Sequence, residues 1–138
     1  MKNKFLAEMS SRGYLSQCTD FEKLSEISDK KSISAYIGFD CTAKSLHVGS
    51  LLQIMILKMM QKYGHRPIVL LGGATGMIGD PSGKSDERNL LDQKTLKKNS
   101  QAIKKQFENF LDFDRKSNNK AIMLNNYDWM KSYTLVDF

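Results

Sequence analysis

A histidine lies where a predicted helix begins, shortly after an aspartate that ends a predicted strand. His47 is followed by Val48, Gly49 and Ser50, and Asp40 precedes it. A helix start offers free backbone N–H groups and a positive partial charge, imidazole adds a donor, and glycine lets a ligand approach the backbone. A lone histidine there is more often a capping or core residue. With these neighbours, the pattern favours binding of a phosphate group and therefore of a nucleotide.

A second loop that could bind a ligand follows the next predicted strand and has the sequence GGATGMIGDPSGKS. It has four glycines between Gly72 and Gly79 and then Asp80, and we expect its flexible backbone to lie against a bound ligand. It is not a Walker A loop, because Ile78 stands where that motif needs glycine. It is not a dinucleotide fingerprint either, because Ala74 replaces the first glycine and no acidic residue follows at the required distance. An NAD site is therefore not expected.

The apolar pattern supplies elements that would bring these loops together. Residues 33–39 predict a buried strand, residues 47–63 a helix buried on most faces, and residues 67–71 a central parallel strand. Strand, helix and strand in succession form a right-handed crossover, whose strands end at the same edge of a sheet. Tyr36 and Asp40 from one strand end could then close over a small polar molecule with Asp80 from the other.

The remaining elements complete an α/β pattern. Short helices are predicted within residues 3–15, where Gly13 ends the helix, and from Thr19 and Asp20 to about residue 28. A long surface helix is predicted within residues 86–111, a third strand at residues 121–126 and a further helix from Tyr127. The sequence therefore predicts the N-terminal part of a doubly wound, Rossmann-like parallel sheet.

Composition and charge set the broad class of protein. The 138 residues are 41% hydrophobic and 26% charged, with a formal net charge of +6. These values are typical of one folded domain and exclude a disordered or fibrous chain. The charge would suit a polyanionic partner, but most of the basic residues are lysines, which also solvate helix surfaces. The simpler interpretation of the positive charge is that these lysines lie on solvent-exposed helix surfaces.

Cysteines and apolar runs limit the compartment. Cys18 and Cys41 have no second pair and no nearby histidine cluster, so neither a disulfide framework nor a metal site is predicted. The N-terminal apolar run is too short for a signal peptide, and Gln53 and Lys58 interrupt the run at residues 51–60. We expect no membrane segment and a cytoplasmic location.

These residues, taken in order, resemble those of bacterial tyrosyl-tRNA synthetases. The resemblance covers nearly the whole chain and includes two segments near its end. The matching segments are Tyr36-Ile37-Gly38-Phe39-Asp40, Thr42-Ala43, Ser45-Leu46-His47-Val48-Gly49, Gly64-His65-Arg66-Pro67, Gly72-Gly73-Ala74-Thr75-Gly76, Gly79-Asp80-Pro81-Ser82-Gly83, Phe110-Leu111-Asp112-Phe113 and Asn125-Asn126-Tyr127-Asp128-Trp129.

The resemblance implies a class I synthetase, which activates tyrosine with ATP to tyrosyl-adenylate and then esterifies its tRNA. In that family, the residues matching Tyr36 and Asp80 bind the phenolic hydroxyl of tyrosine, and phenylalanine would leave both unpaired. The residues matching Asp40 and Thr75 lie near the substrate α-amino group. Gly38 offers backbone close to the adenylate.

The segment from His47 to Ser50 aligns with the His-Ile-Gly-His signature of class I enzymes. The resemblance makes His47 and Ser50 the catalytic residues, acting by stabilising charge on the ATP phosphates. It makes Gly38, His47, Gly49 and Ser50 the ATP-binding residues. Ser50 replaces the second histidine and cannot carry a positive charge. Cys41 stands where most relatives have proline.

The resemblance also implies a division of the chain. Residues 1–31 would be a helical segment packed on the catalytic domain, and residues 32–138 the first half of that domain. The glutamine-bearing helix, the lysine-rich mobile loop and the anticodon-binding domain of the family would lie beyond Phe138, so we expect an incomplete catalytic domain with little activity alone.

The resemblance implies substrates and partners as well. ATP is expected as a substrate with Mg²⁺, with no tightly bound cofactor. Tyrosine and tRNA are the other expected partners, and a full-length protein is expected to be a homodimer.

Three alternatives remain open at this point. A tryptophanyl enzyme is related, although Tyr36 and Asp80 suit a phenol better than an indole. A catalytically dead binding module is possible, against which stand the intact His47, Tyr36, Asp40 and Asp80. Generic nucleic-acid binding by lysines would show a steep salt dependence and no effect of tyrosine or ATP.

Overall fold

Six helices and three strands make up the described part of the chain. The computed structural model describes residues 3–78, 92–114, 116–134 and 136. Within these ranges the elements are α1 Lys4–Ser11, α2 Phe21–Lys30, β1 Ser34–Phe39, α3 Gly49–Lys62, β2 Arg66–Leu71, α4 Gly73–Ile78, α5 Gln93–Phe107, β3 Ile122–Asn125 and α6 Tyr127–Met130.

The strands form a parallel sheet in the order β1-β2-β3. Phe39 pairs with Leu71, and Leu71 pairs with Asn125, so the three strands end side by side. α3 connects β1 to β2 and contacts both, which is the crossover that the sequence predicted. The α/β class and the partial Rossmann-like sheet are confirmed, and the segments that follow the strands share one edge.

Capping residues explain where several helices begin. The side chain of Asn3 accepts a hydrogen bond from the Leu6 N–H and that of Asp20 accepts one from the Lys23 N–H, each at 2.9 Å. Asp92 accepts from the Thr95 N–H at 2.6 Å, and hydrogen bonding from the Thr95 side chain, followed by that from its N–H, lowers the pKa of the Asp92 carboxyl. Each contact satisfies a backbone donor that a helix start leaves unpaired. The predicted role of Asp20 is confirmed.

One face of the sheet carries the core. Phe39, Val69 and Leu71 are buried on this face, and the Phe39 ring meets the Phe107 ring edge-on at 4.8 Å between centroids. Burying such a side chain fully is worth about 1.5–3 kcal/mol. The cluster members from α3 and α5 are Ile54, Leu57, Met59, Met60, Leu96, Ile103 and Phe107. These two helices therefore pack on one side and hold the strands together.

The other face of the sheet is largely exposed. Side chains alternate along a strand, so Tyr36 and Leu124 lie opposite the core face, where they are 67% and 43% exposed. In β1 only Phe39 is buried. The prediction of a buried first strand is therefore wrong for most of its residues, because α3 and α5 pack on the opposite face.

Two further predictions need correction. α3 is buried along one side only, since Leu51 and Leu52 are exposed, although the sequence predicted burial on most faces. The flexible glycine-rich loop predicted after β2 begins instead as α4, Gly73–Ile78. The predicted stop at Gly64 is confirmed by its φ of 84°, which favours glycine.

The N-terminal helix α1 is attached to α3 through one carboxylate. Glu8 forms ion pairs with Arg12 and Lys62, both at 2.8 Å, and accepts a hydrogen bond from the Tyr63 hydroxyl. The hydrogen bonds from Lys62 and Tyr63 lower the pKa of Glu8 to about 2. The Phe5 ring meets the His65 ring edge-on at 5.0 Å. A domain division at residue 31 remains a prediction.

Among the described residues, no helix is both long enough and apolar enough to cross a bilayer.

Candidate active site

Backbone hydrogen bonds tie the three strand ends together. The Gly72 N–H donates to the Phe39 carbonyl at 2.9 Å, and the Asn126 N–H donates to the Leu71 carbonyl at 3.0 Å. The loop after β1, the helix after β2 and the turn after β3 are therefore neighbours. In parallel α/β sheets this carboxyl edge is where ligands bind.

A cleft of about 460 Å³ opens between the end of β1 and the start of α3. Its walls include most of the residues predicted to bind ATP or act in catalysis. The predicted residues that line it are Gly38, Asp40, His47, Gly49 and Ser50. The structure thus brings five sequence-predicted residues to one cavity.

The His47 imidazole is oriented by the backbone that follows it. Its Nδ1 accepts a hydrogen bond from the Gly49 N–H at 3.0 Å, so the neutral ring carries its proton on Nε2. A Cβ at Gly49 would lie 2.8 Å from Cε1 of His47, so a side chain at residue 49 would displace the ring. His47 is exposed, and Nε2–H remains a donor for an oxygen of a ligand.

The helix start at α3 offers fewer free donors than the sequence predicted. The N–H groups of Gly49, Ser50 and Leu51 donate to His47 Nδ1, the His47 carbonyl and the Val48 carbonyl, each at 3.0 Å. The positive end of the helix dipole still faces the cleft. Ser50 is only 6% exposed, so it contributes to the wall rather than to the open surface.

Asp40 and Thr75 both lie near the side of Gly72 where a Cβ would project. A Cβ built on Gly72 would lie 2.6 Å from Oγ1 of Thr75 and 3.5 Å from Oδ1 of Asp40. Neither side chain makes a hydrogen bond to another residue in the described ranges. A carboxylate beside a hydroxyl, both open, is a suitable acceptor set for an ammonium group.

Two predicted residues of the described ranges, Tyr36 and Thr75, do not line this cleft. Tyr36 is on the same side of β1 as Gly38 and Asp40, because side chains alternate, but it is exposed and does not line the cleft. Asp80 lies outside the described residues.

Two asparagines at the end of β3 bind the start of α4, a role that was not predicted from the sequence. Asn125 Oδ1 accepts from the Gly73 N–H at 3.1 Å, and Asn126 Oδ1 accepts from the Ala74 N–H at 2.7 Å. They cap the first turn of α4 from another strand. The Asn-Asn pair at the end of the predicted third strand was the available signal, and it was noted only as part of the family resemblance.

The loop after β1 is held by α5. The Asn99 side chain donates to the Cys41 carbonyl at 3.0 Å, and the Leu46 N–H donates to the Gln106 side chain at 3.1 Å. Cys41 is fully buried, and burial raises the pKa of its thiol. The Cys41 side chain therefore fills a core position beside Asp40.

A larger cavity, of about 720 Å³, lies beside β3 and α5. It contains none of the residues predicted to act on tyrosine or ATP. Its lining is mainly apolar, with Lys94, Lys97 and Lys104 along α5. The smaller cleft holds five of the predicted residues, so it is the candidate active site.

The parallel sheet and the crossover helix between β1 and β2 define a partial Rossmann-like domain of the α/β class. A family profile described as "tRNA synthetases class I (W and Y)" matches residues 28–138. The chain belongs to this family.

Similar proteins agree with this family. The chain is 55% identical over 136 residues to "Tyrosine--tRNA ligase" of Pelagibacter ubique and 51% identical over 134 residues to that of Rickettsia prowazekii. These matches cover 99% and 97% of the chain, and 33% and 32% of the relatives, so the chain spans about a third of their length.

Solved structures extend the similarity to the fold. A C-terminally truncated mitochondrial tyrosyl-tRNA synthetase of Coccidioides posadasii is 28% identical, with a TM-score of 0.77 over 99% of this chain and 39% of that one. The corresponding protein of Aspergillus nidulans is 27% identical, with a TM-score of 0.78 over 99% of this chain and 41% of that one.

Proposed function

We propose that the chain supplies much of the tyrosine pocket and part of the ATP site of a tyrosine–tRNA ligase. The cleft that joins Asp40 to His47 carries this proposal, because it combines acceptors for an ammonium group with a donor for phosphate. The relatives' names support tyrosine as the amino acid. The family description includes tryptophan enzymes as well, so the substrate needs a direct test.

Tyrosine is bound at both of its ends in this proposal. Asp40 and Thr75 receive the α-ammonium group, which their proximity across Gly72 supports. Tyr36 and Asp80 receive the phenolic hydroxyl. This pair would reject phenylalanine, which leaves both groups without a partner.

ATP is bound at the start of α3. The tyrosine carboxylate attacks the α-phosphorus, a P–O bond forms, and pyrophosphate leaves. His47 donates Nε2–H to a phosphate oxygen, and the orientation of its ring by Gly49 supports this role. The open backbone at Gly38 faces the adenylate, and Ser50 contributes from the wall. The rate gain comes from positioning and charge stabilisation, without a covalent enzyme intermediate.

The metal and the remaining partners belong to the same proposal. Mg²⁺ enters with ATP as part of the substrate, because this ion is usually held by substrate phosphate oxygens and water molecules. The tRNA receives tyrosine from the adenylate. We further propose that the whole protein is a homodimer in the cytoplasm.

Tyrosine-dependent exchange of pyrophosphate into ATP tests this function. The complete gene product that contains the chain is measured with tyrosine, tryptophan and phenylalanine. We expect exchange with tyrosine alone, followed by charging of tRNA. Exchange with tryptophan would assign the other enzyme of the family. Binding of RNA without any exchange would instead support a non-catalytic module.

A further inference from the structure

The segment between β1 and α3, residues 40–48, forms no helix or strand of its own, although it carries His47. Regular backbone pairing therefore does not fix where the imidazole lies. The Gly49 N–H orients the ring through Nδ1, but this contact is made within the same turn and moves with it. The position of His47 relative to the sheet must come from contacts between this segment and other elements.

Two side chains of α5 bind the backbone of the segment. Asn99 Nδ2 donates to the Cys41 carbonyl at 3.0 Å, and the Leu46 N–H donates to Gln106 Oε1 at 3.1 Å. Asn99 and Gln106 are seven residues apart, so they lie on the same face of α5, about 10 Å apart along its axis. One face of a single helix therefore holds the segment near both of its ends.

The helix that provides these contacts is itself firmly packed. Leu96, Ile103 and Phe107 of α5 are buried in the core. Asn99 lies among them and is only 3% exposed. A buried amide destabilises a fold unless it is hydrogen-bonded, and the Cys41 carbonyl provides the partner. The two contacts therefore transmit the position of a core helix to the segment.

The Gln106 contact is the nearer of the two to the histidine. It holds the N–H of Leu46, the residue directly before His47, and the Leu46 side chain packs against the core. The backbone that enters His47 is thus fixed on two sides. Loss of the Gln106 oxygen would leave a partly buried N–H without a partner, which favours a different placement of this backbone. A displacement of about 1 Å is enough to slow a reaction by about 100-fold.

We propose that Gln106 is a positioning residue that holds the Leu46–His47 backbone, with Asn99 as a second anchor, and so places Nε2 of His47 against the phosphates of ATP. This inference rests on the proposed function. It assigns Gln106 no contact with the substrate. A hydrogen bond with a structural role alone would change stability and leave the kinetics unaltered, so kinetics and stability together separate the two roles.

Tyrosine-dependent pyrophosphate exchange by the complete gene product tests Gln106→Met, which keeps the length of the side chain and removes the amide oxygen. We expect kcat to fall about ten-fold, because the donor to the developing phosphate charge is misplaced, and KM for tyrosine to stay within about two-fold. The double variant Gln106→Met/His47→Ala should match His47→Ala to within about two-fold. A residue that acts only through His47 has no effect once the imidazole is removed.

Three further variants serve as controls. Gln106→Glu retains an acceptor oxygen and should restore kcat to within about three-fold of the starting protein. Gln101→Met makes the same change at an exposed residue of α5 and should alter neither kcat nor KM. Gln61→Met removes two hydrogen bonds to the Asp112 backbone, of 2.7 and 2.9 Å, near the end of α3 that lies far from the cleft. It should lower the urea midpoint without changing kcat.

A second substitution keeps the test open if Gln106→Met does not fold. Gln106→Asn keeps the amide but is one methylene shorter, so it cannot hold the Leu46 N–H at the same backbone position. It should reproduce the loss of kcat, again with no further loss in the His47→Ala background.

The outcomes are distinguishable. An unchanged kcat in a folded Gln106→Met protein, or a double variant about ten-fold slower than His47→Ala, would overturn the positioning role. Equal losses of kcat in Gln106→Met and Gln61→Met would overturn it as well. A starting protein with no tyrosine-dependent exchange would overturn the proposed function itself. A loss confined to Gln106→Met, reversed by glutamate and absent from the His47→Ala background, would support the inference.

Discussion

The two ends of the sheet use their polar side chains differently. At the amino ends of the strands, Arg66 donates to the Asn118 carbonyl at 2.9 Å and Ser32 to the Gly64 carbonyl at 2.7 Å. At the carboxyl ends, Asp40 and Thr75 make no hydrogen bond to another residue of the described ranges. Arg66 and Ser32 at the amino end therefore bind the protein itself, whereas Asp40 and Thr75 at the carboxyl end remain available to a ligand.

The difference has a cause in how each end is stabilised. At the carboxyl end, Asn99, Asn125 and Asn126 bind backbone groups, so loops are fixed without using the side chains that face the cleft. At the amino end, the side chains of Arg66 and Ser32 themselves donate hydrogen bonds to backbone carbonyls, so these donors are not available to a ligand. We therefore expect substitutions at the carboxyl end to cost activity and those at the opposite end to cost stability alone.

Gly73→Ala should give the largest effect. Its Cβ would lie 2.2 Å from Asn125 Oδ1, which forces α4 away from β3. Overpacking of this kind costs about 1–3 kcal/mol of unfolding free energy, and we expect tyrosine-dependent exchange to fall below detection. Urea unfolding and the exchange assay measure the two effects.

Gly38→Ala is the stability control for this prediction, because its Cβ would meet open space. Its free energy of unfolding should change by less than about 0.5 kcal/mol. A Gly73→Ala protein as stable as the starting protein would contradict the geometry.

His47→Ala should lower activity without lowering stability. Loss of one donor to the developing phosphate charge reduces kcat by about 100-fold. The ring is exposed, so the unfolding midpoint should not move. Val48→Ala, at a neighbouring residue that is 87% exposed, is the matched control and should retain full activity. A similar loss in both variants would remove His47 from its proposed role.

Glu8→Gln should have the smallest effect, confined to stability and dependent on pH. The Lys62 and Tyr63 hydrogen bonds lower the folded-state pKa of Glu8 from 4.5 to about 2. A lowered carboxyl pKa stabilises the fold above the unfolded value, and this contribution is lost as pH falls from about 4.5 through 2. Urea midpoints at pH 6, 4, 3 and 2 should show the advantage of the starting protein shrinking over that window. A constant difference would mean that Glu8 does not titrate there. KM for tyrosine at pH 7 should not change.

Local sequence signals predicted much of the fold. Apolar runs predicted β1, α3, β2 and β3, and Asp20 predicted the start of α2. α4 was missed because glycine propensity argues for a loop, and the acceptors that stabilise the helix come from β3. Exposure of Tyr36 was missed because an apolar strand pattern does not reveal which face the helices cover.

The site was predicted in part. Asp40 and His47 follow from a strand end and a helix start, and the structure places both on one cleft. The proximity of Thr75 to Asp40 depends on the missing side chain of Gly72, which spacing alone does not reveal. The hydrogen bond between Asn125 and Gly73 was not predicted, because the two residues are distant in sequence. Asp80 stays a prediction.

The burial of Cys41 has a consequence for thiol chemistry. Cys18 is exposed, and Cys41 is fully buried with a raised thiol pKa. Thiolate is the reactive form, so a maleimide should label the native protein at one sulfur and reach the second only after the core opens. Without any engineering, the chain thus carries one site for a dye and one internal reporter of unfolding.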